Sequence, residues 1–158
     1  MQGFIEREKL DGVIKNLKAN NIKTVTTNGC FDILHLGHVR YLKKSKSCGD
    51  KLIVLLNSDA SVRAIKGKGR PINSELERAE VLLALECVDY VVLFDENSPA
   101  ALLETIKPDV HTKGADYTLD TLPEAPVILK NGGRVEFIEL VEGKSTTNTI
   151  SRKRHSYS

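Results

Sequence analysis

Short runs of apolar and β-branched residues recur along the chain and predict strands. Five such runs are present, at residues 24–27, 52–56, 88–93, 109–112 and 134–138. Two stretches within them, 53–56 and 91–93, are continuously apolar and do not alternate with polar residues. That pattern is typical of strands that helices cover on both faces of a parallel sheet.

The segments between these runs contain residues that start and end helices. Ser74 and Glu77 form a capping box, which starts a helix that continues to about residue 86. The apolar face expected on this helix consists of Leu76, Ala79, Leu82 and Leu83. A further helix is predicted to begin at Ser98 and Pro99 and to end at Pro108. The Asn-Gly-Gly sequence at 131–133 is suited to closing a third.

Strands that alternate with helices at this spacing predict an α/β fold with a Rossmann-like, doubly wound parallel sheet of five strands. Ligands are then expected beyond the carboxyl ends of the strands. We interpret residues 1–158 as a single domain with its core over about 22–152. A short N-terminal helix is expected at 5–19 and a basic C-terminal tail at 152–158.

Composition and charge argue against several classes of protein. The chain is 41% hydrophobic and 28% charged, and it has no apolar run near the ~20 residues that span a bilayer, so no membrane segment is expected. A net charge of +2 is too small for a protein that coats nucleic acid. The N-terminus has no secretory signal pattern, and the cysteines, Cys30, Cys48 and Cys87, lack the spacing of a zinc site. We therefore expect a cytoplasmic protein with reduced thiols.

The most informative segment is G-C-F-D-I-L-H-L-G-H at residues 29–38, which follows the first predicted strand and leads into a helix. Gly29 lets the backbone approach a ligand closely, and the helix start near Gly37 offers free N–H groups to a phosphate. His35 and His38 could donate hydrogen bonds to the same phosphoryl group. Taken alone, such a pair is more often a coincidence or a metal site. Its place between strand and helix favours catalysis, and the absence of accompanying ligands at metal spacing disfavours metal.

This segment resembles the signature of the cytidylyltransferase-like HxGH superfamily of nucleotidyltransferases. Further motifs follow in the family order, at 57–59, 66–70, Arg78, 88–89, 113–117 and 145–147, and the resemblance covers roughly residues 24–152. It implies transfer of a nucleoside monophosphate from a nucleoside triphosphate to a phosphorylated small molecule, with release of pyrophosphate.

Within the superfamily, residues 57–73, 75–89, 113–117 and 142–148 look most like the adenylyltransferases that make ADP-heptose. That resemblance implies transfer of AMP from ATP to heptose 1-phosphate. Ala115 replaces a glycine of the family pattern, a change too small to alter the course of the loop. The alternative is a glycerol-3-phosphate or related cytidylyltransferase that uses CTP, although Leu140 and Val141 stand where those enzymes carry an arginine. A nucleotide-binding regulatory module without chemistry is a rival from another class.

The resemblance also implies roles for individual residues. The expected catalytic residues are His35, His38 and Lys66. The expected nucleotide-binding residues are Gly29, Phe31, Gly37, Arg70, Arg78, Gly114, Asp116, Ser145, Thr146 and Thr147. Asp32 and Asp59 could orient the acceptor or magnesium, whereas His111, inside a predicted strand, is interpreted as structural.

Cofactor and partners follow from the same resemblance. Mg²⁺ is expected to arrive with ATP and to need no site built from protein ligands alone. The expected partners are ATP, a phosphorylated sugar, a second copy of the chain in a homodimer, and a separate sugar kinase of the same pathway. Neither nucleic acid nor a membrane is expected. The loop at 66–70, in which glycines separate three cations, is expected to be mobile until ATP orders it.

Overall fold

A computed structural model of the chain describes residues 1–139. Within these residues the chain forms strands β1 (Thr24–Gly29), β2 (Lys51–Asn57), β3 (Tyr90–Phe94), β4 (Val110–Gly114) and β5 (Arg134–Ile138). All the strand pairs are parallel, and the strands lie side by side in the order β3-β2-β1-β4-β5. The predicted α/β fold with a five-stranded parallel sheet is confirmed.

The α-helices of the described residues are α1 (Leu10–Ala19), which precedes β1, and α2 (Leu36–Lys46), α3 (Asp59–Lys66), α4 (Glu75–Leu83), α5 (Ala100–Ile106) and α6 (Ala125–Lys130), which lie between strands. They cover both faces of the sheet, so that two hydrophobic cores form. One core joins α1, α5 and α6 to the face that carries Ile53 and Leu55. The other joins α2 and α4 to the face that carries Leu52, Val54 and Leu56. Residues of β2 are therefore buried on both sides, as the continuous apolar run predicts.

The third strand is shorter than its apolar run suggests. It begins at Tyr90 and not at Val88, because Asp89 uses its side chain to fix the start of the neighbouring strand. The Asp89 carboxylate accepts a hydrogen bond from the Leu52 N–H at 2.8 Å and pairs with the Lys46 ammonium at 2.6 Å. These contacts hold Asp89 at the amino ends of the strands, far from the edge where ligands bind.

The N-terminal helix starts later than the sequence pattern indicates. A 3-10 turn at Arg7–Lys9 precedes α1, and residues 3–5 lie beside β3, where Phe4 forms a parallel bridge with Val91. The Ile5 N–H donates to the Val91 carbonyl at 2.9 Å, and the Val91 N–H donates to the Gly3 carbonyl at 3.0 Å. The expected helix at 5–19 was too long because these residues pair with the outer edge of the sheet.

Helix α4 begins at the predicted cap, where the Ser74 hydroxyl accepts the Glu77 N–H at 3.3 Å. Its buried face was only partly predicted. Ala79 and Leu82 are buried and Leu83 packs against the same core, but Leu76 is 54% exposed. Successive residues on a helix are rotated by about 100°, and Leu76 lies away from the face that Ala79 and Leu82 define. Arg78 takes a buried position on this helix instead.

The ends of the last two helices agree with the sequence. Helix α5 starts after Pro99 and ends where Lys107, with a φ of 47°, precedes Pro108. Helix α6 ends at Lys130, and Gly132 follows with a φ of 85°. Among the described residues, no helix is both long and apolar enough to cross a membrane.

Candidate active site

The strand order reverses between β1 and β4, and an open α/β sheet binds its ligands beyond the carboxyl ends of the strands at such a point. Residues 29–38 leave β1 at this place and enter α2. His35 is the N-cap of α2, so that the free N–H groups of its first turn and both histidines lie at one helix start. The topology therefore brings the histidine segment to the position where phosphate binding is favoured.

Backbone N–H groups at the start of α2 orient both histidine rings. His35 Nδ1 accepts the Gly37 N–H at 3.0 Å, and His38 Nδ1 accepts the His35 N–H at 3.3 Å. Their ring centroids are 4.1 Å apart, with an angle of 33° between the planes. Because each Nδ1 accepts, the hydrogen of each neutral ring is carried by Nε2. The pair therefore provides two fixed imidazoles whose donors are on the side away from the backbone.

The electrostatic surroundings keep His38 neutral. Burial, the nearby His35 and the positive charge of Lys66 lower the pKa of His38 from 6.5 to about 4. At neutral pH its ring is therefore uncharged, and its Nε2–H can donate a hydrogen bond to a phosphate oxygen. An anion bound beside the ring would oppose this lowering, because a negative charge stabilises the imidazolium.

The turn between β1 and the histidines requires its glycine. Phe31 has a φ of 46°, a left-handed conformation uncommon for a side chain of this size. A Cβ atom at Gly29 would lie 2.9 Å from Cε2 of the Phe31 ring, closer than real contacts allow. The Phe31 ring in turn packs edge-on against His38, with the centroids 5.7 Å apart. Gly29 thus lets Phe31 fold back and pack against His38.

The lysine loop, residues 66–70, begins at the C-terminal end of α3. Lys66 is the last residue of that helix and is exposed, and its charge contributes to lowering the pKa of His38. Gly67 and Gly69 have φ values of 92° and 86°, and no atom lies within 4 Å of a Cβ built at either position. The segment between Lys66 and Arg70 is therefore open and held in place by little packing.

Arg70 and Asp32 form a buried ion pair at the end of this loop. Arg70 Nε donates to Asp32 Oδ2 at 3.1 Å, and the two side chains are 6% and 1% exposed. The Asp32 carboxylate also accepts the backbone N–H groups of Ile72 and Asn73. Burial by itself would raise the pKa of Asp32, but these three hydrogen bonds lower it. Asp32 is therefore ionised and engaged with residues 70–73.

Arg78 is almost completely buried beneath the site. Its guanidinium donates to the carbonyls of Cys30 at 2.8 Å, Asn57 at 2.7 Å and Asn73 at 3.0 Å. Its fourth hydrogen bond, at 2.9 Å, goes to the Asp59 carboxylate. These contacts join the turn after β1, the end of β2 and the segment before α4. The geometry favours support of the site over the direct nucleotide contact that the resemblance implies for Arg78.

Asp59 faces Arg78 and does not cap α3. The N-cap is Ser58, whose hydroxyl accepts the Ser61 N–H at 3.2 Å. The Asp59 N–H is itself held by the Glu75 carboxylate at 2.8 Å. Among residues 1–139 no group of three or more histidine, cysteine and acidic side chains is arranged to hold a metal ion.

The end of β4 contributes a residue that the sequence argument left out. Lys113 Nζ donates to Asn28 Oδ1 of β1 at 3.2 Å and lies 5.4 Å from the centre of the Tyr117 ring. Burial lowers the pKa of Lys113. Gly114 ends the strand, and Asp116 is exposed in the turn that follows. A lysine at the end of a strand bordering the crevice, inside a recognised motif, was the signal that could have identified it.

His111 is structural, as predicted. It is fully buried in β4, where Nδ1 bonds to the Thr26 hydroxyl at 2.8 Å and Nε2 to the Glu124 carboxylate at 3.3 Å. Three of the expected nucleotide-binding residues, Ser145, Thr146 and Thr147, lie outside the described residues, as does the basic tail at 152–158.

The fold and the histidine site define the class as a nucleotide-binding α/β protein of the nucleotidyltransferase type. A sequence profile described as cytidylyltransferase-like matches residues 26–152. The chain belongs to the cytidylyltransferase-like family, and it is a nucleotidyltransferase.

Two relatives show which proteins of the family this chain is similar to. The chain is 53% identical to the bifunctional protein HldE of Geobacter metallireducens over 148 residues, which are 94% of this chain and 30% of that protein. It is 54% identical to the bifunctional protein HldE of Mesorhizobium japonicum over 137 residues, 87% of this chain and 28% of that protein. The chain thus spans somewhat less than a third of the length of these relatives.

Two solved structures share the fold. A lipopolysaccharide core biosynthesis protein from Thermoplasma volcanium is 34% identical, with a TM-score of 0.61 over 76% of this chain and 97% of that one. The pantoate-β-alanine ligase of Francisella tularensis has the same TM-score, 0.61, over 96% of this chain and 78% of that one. Its identity is 14%, so that this second likeness concerns the fold alone.

Proposed function

We propose that this chain transfers the adenylyl group of ATP to heptose 1-phosphate, giving ADP-heptose and pyrophosphate. The observation that carries the proposal is the pair of ring donors, His35 and His38, at the start of α2 beside the carboxyl end of β1. The identity of about 50% to bifunctional HldE proteins supports heptose 1-phosphate as the acceptor and gives no support to a CTP reaction over it.

In the proposed reaction, an oxygen of the sugar phosphate attacks the α-phosphorus of ATP in line with the leaving group. The new oxygen–phosphorus bond forms as the bond between the α-phosphorus and the bridging oxygen breaks, and pyrophosphate leaves with that electron pair. The attacking phosphate is already anionic at neutral pH, so the protein need not remove a proton. Its task is to position the phosphates and to stabilise the charge that develops on their oxygens.

The residues of the site are suited to that task. The Nε2–H groups of His35 and His38, together with the free N–H groups at the start of α2, would hold oxygens of the α- and β-phosphates. His38 is neutral, and its Nε2–H can donate a hydrogen bond to a phosphate oxygen. Lys66 would approach the leaving phosphates when the lysine loop closes. Gly114 and Asp116, at the end of β4, would line the base and ribose.

Magnesium would bind to ATP and not to a preformed protein site. The described residues contain no cluster able to hold a metal by itself, and Mg²⁺ usually binds through substrate phosphates with one or two carboxylates at most. When bound, the ion would neutralise charge on the leaving pyrophosphate. The chain's own contribution is to hold the phosphates that carry it.

The remaining partners belong to the same proposal. We propose that a sugar kinase of the same pathway, on a separate polypeptide, takes part in supplying heptose 1-phosphate. We also propose that the chain works in the cytoplasm as a homodimer.

A substrate panel tests the proposed function. Pyrophosphate release should be measured with four nucleoside triphosphates against heptose 1-phosphate, other sugar 1-phosphates and glycerol 3-phosphate, each with and without magnesium. We expect ATP with heptose 1-phosphate to react fastest, CTP to react much more slowly, and each reaction to require magnesium. Faster reaction of CTP with glycerol 3-phosphate would replace the proposal by a cytidylyltransferase. Tight binding of ATP without turnover for any acceptor would point to a regulatory module.

A further inference from the structure

Asp32 is surrounded by hydrogen-bond donors from one short segment of chain. Its Oδ2 accepts the Arg70 Nε–H at 3.1 Å and the Ile72 N–H at 2.8 Å, while Oδ1 accepts the Asn73 N–H at 2.9 Å. The Asp32 backbone carbonyl accepts the Asn73 side-chain amide at 2.7 Å. The carboxylate is 1% exposed, so little of it remains open to a metal ion or to an acceptor.

These contacts anchor one end of the lysine loop. Its other end is anchored at Lys66 by α3, where the Gly67 N–H donates to the Arg63 carbonyl at 2.8 Å. Between the anchors lie Gly67, Lys68 and Gly69, which are exposed and unconstrained by packing. Movement of the loop backbone is therefore concentrated in these three residues, and Arg70 should keep its place when they move.

The orientation that Asp32 imposes leaves one buried donor of Arg70 without a partner in the described part of the chain. Arg70 is 6% exposed, and its Nη2 has no hydrogen-bond partner among residues 1–139. Leaving a buried, charged donor unpaired is costly. Arg70, Lys66 and Arg78 all act electrostatically on Cys30, the residue directly after β1. The three cations therefore lie near the turn after β1, the turn from which the histidine segment continues.

We propose that Asp32 is a positioning residue, which fixes Arg70 so that Nη2 meets a phosphate oxygen of the bound nucleotide, and which anchors residues 70–73 while the lysine loop moves. It acts through Arg70 and the loop, and not as a ligand for magnesium. The inference rests on the proposed adenylyl transfer only for its kinetic consequences. The anchoring can be measured without turnover.

The first test uses hydrogen exchange in the protein without ligand. Asp32→Asn keeps the size of the side chain but replaces one acceptor oxygen by a donor, so at least one contact with residues 70–73 must break. Exchange of the Ile72 and Asn73 amides should become about tenfold faster or more, as expected for a lost charge-assisted hydrogen bond. Asp50→Asn is the matched control. Asp50 also accepts a backbone N–H, from Lys23, but it lies at the amino ends of β1 and β2, so exchange of the Ile72 and Asn73 amides should not change. Unchanged exchange in Asp32→Asn would overturn the anchoring.

The second test is kinetic and separates positioning from metal binding. Asp32→Asn should lower kcat by about tenfold to a hundredfold, as small displacements of catalytic groups do. The magnesium concentration for half-maximal activity should stay within a factor of about two, whereas loss of a metal ligand would raise it by about tenfold or more. A large rise in that concentration would overturn the proposal.

A double-mutant cycle shows whether Asp32 acts through Arg70. Arg70→Lys removes the Nε donor but leaves the Asp32 contacts to Ile72 and Asn73, so it should lower kcat while these amides stay protected. Because the two residues act as a unit, the double variant should be no slower than the more impaired single variant. Additive losses would overturn the coupling.

If Asp32→Asn does not fold, Arg70→Lys still tests the proposed role of Arg70, since normal turnover in that variant would remove Arg70 from the site. If the wild-type protein shows no adenylyl transfer, the proposed function fails, while the exchange test still decides the anchoring.

Discussion

The rings of His35 and His38 face each other at 4.1 Å, and each accepts a backbone N–H from the turn that starts α2. The same backbone contacts that cap the helix therefore fix the tautomer of both rings. The helix start and the histidine pair are therefore built from the same residues.

We expect His35→Ala and His38→Ala each to lower kcat by roughly two to four powers of ten, because donors aimed at developing charge typically contribute that much. The measurement is steady-state pyrophosphate release, with circular dichroism to verify folding. Lys44→Ala, on the exposed part of the same helix, is the matched control and should keep normal turnover. Near-normal turnover in a histidine variant would remove that residue from the catalytic role.

Protonation of His38 should make the folded protein less stable in mild acid. Its pKa is about 4 in the folded state, against 6.5 for the ordinary value, so between these pH values the unfolded chain binds more protons. Stability should therefore fall as the pH decreases from about 6.5 to 4 and then level off. The loss from this group is at most about 3.5 kcal/mol, at about 1.4 kcal/mol per pKa unit.

Urea unfolding from pH 7.5 to pH 4 measures this effect. In His38→Gln, which cannot titrate, the free energy of unfolding should depend less steeply on pH than in the wild type. Buried His111, whose pKa is also lowered by burial, remains in both proteins and serves as an internal reference. Identical slopes for the two proteins would show that His38 is not responsible.

Local chemistry made much of the fold predictable. The strands were recognisable because β-branched residues cluster in short runs. The capping box of Ser74 and Glu77 predicted the start of α4. The histidine segment predicted the position of the ligand site at the carboxyl ends of the strands, because its sequence is typical of a turn followed by a helix start. These features depend on residues close together in the chain.

Long-range contacts were not predictable in the same way. Nothing near Asp32 in the sequence indicates that its carboxylate binds Ile72 and Asn73, forty residues away. Arg78 lies in a helix where an arginine is normally exposed, and its burial depends on carbonyls supplied by Cys30 and Asn57. Such contacts follow from the order of the strands, which local patterns do not determine.

Arg78 should matter more for stability than an exposed arginine. Arg78→Ala removes a buried cation that donates to three carbonyls and to Asp59, and we expect it to lower the free energy of unfolding by about 3–5 kcal/mol. Arg63→Ala, at an exposed position of α3, should change it by less than about 0.5 kcal/mol. Urea unfolding of both variants decides the matter. Equal stabilities, with loss of ATP binding in Arg78→Ala alone, would assign Arg78 to the phosphate instead.

The lysine loop should be mobile in the free protein and ordered by ATP. Gly67 and Gly69 give it conformational freedom that costs entropy to remove. Arg70 is already paired with Asp32, so the triphosphate supplies the opposite charge for Lys66 and Lys68. Hydrogen exchange over residues 64–72 should slow when magnesium and a non-hydrolysable ATP analogue are added, while exchange over β2 stays unchanged. Equal protection in both states would mean that the loop is a fixed surface element.

Closure of that loop predicts a distinct kinetic effect of Lys66. If the Lys66 contact strengthens as charge builds on the leaving phosphates, Lys66→Ala should lower kcat by roughly tenfold to a thousandfold and weaken ATP binding much less. Lys15→Ala, which removes an exposed lysine paired with Asp11 on α1, is the control for loss of one positive charge and should leave both quantities unchanged. Titration calorimetry gives the affinity and pyrophosphate release gives kcat. A variant that loses affinity and keeps kcat would show that Lys66 binds ATP in the ground state and takes no further part in the transfer.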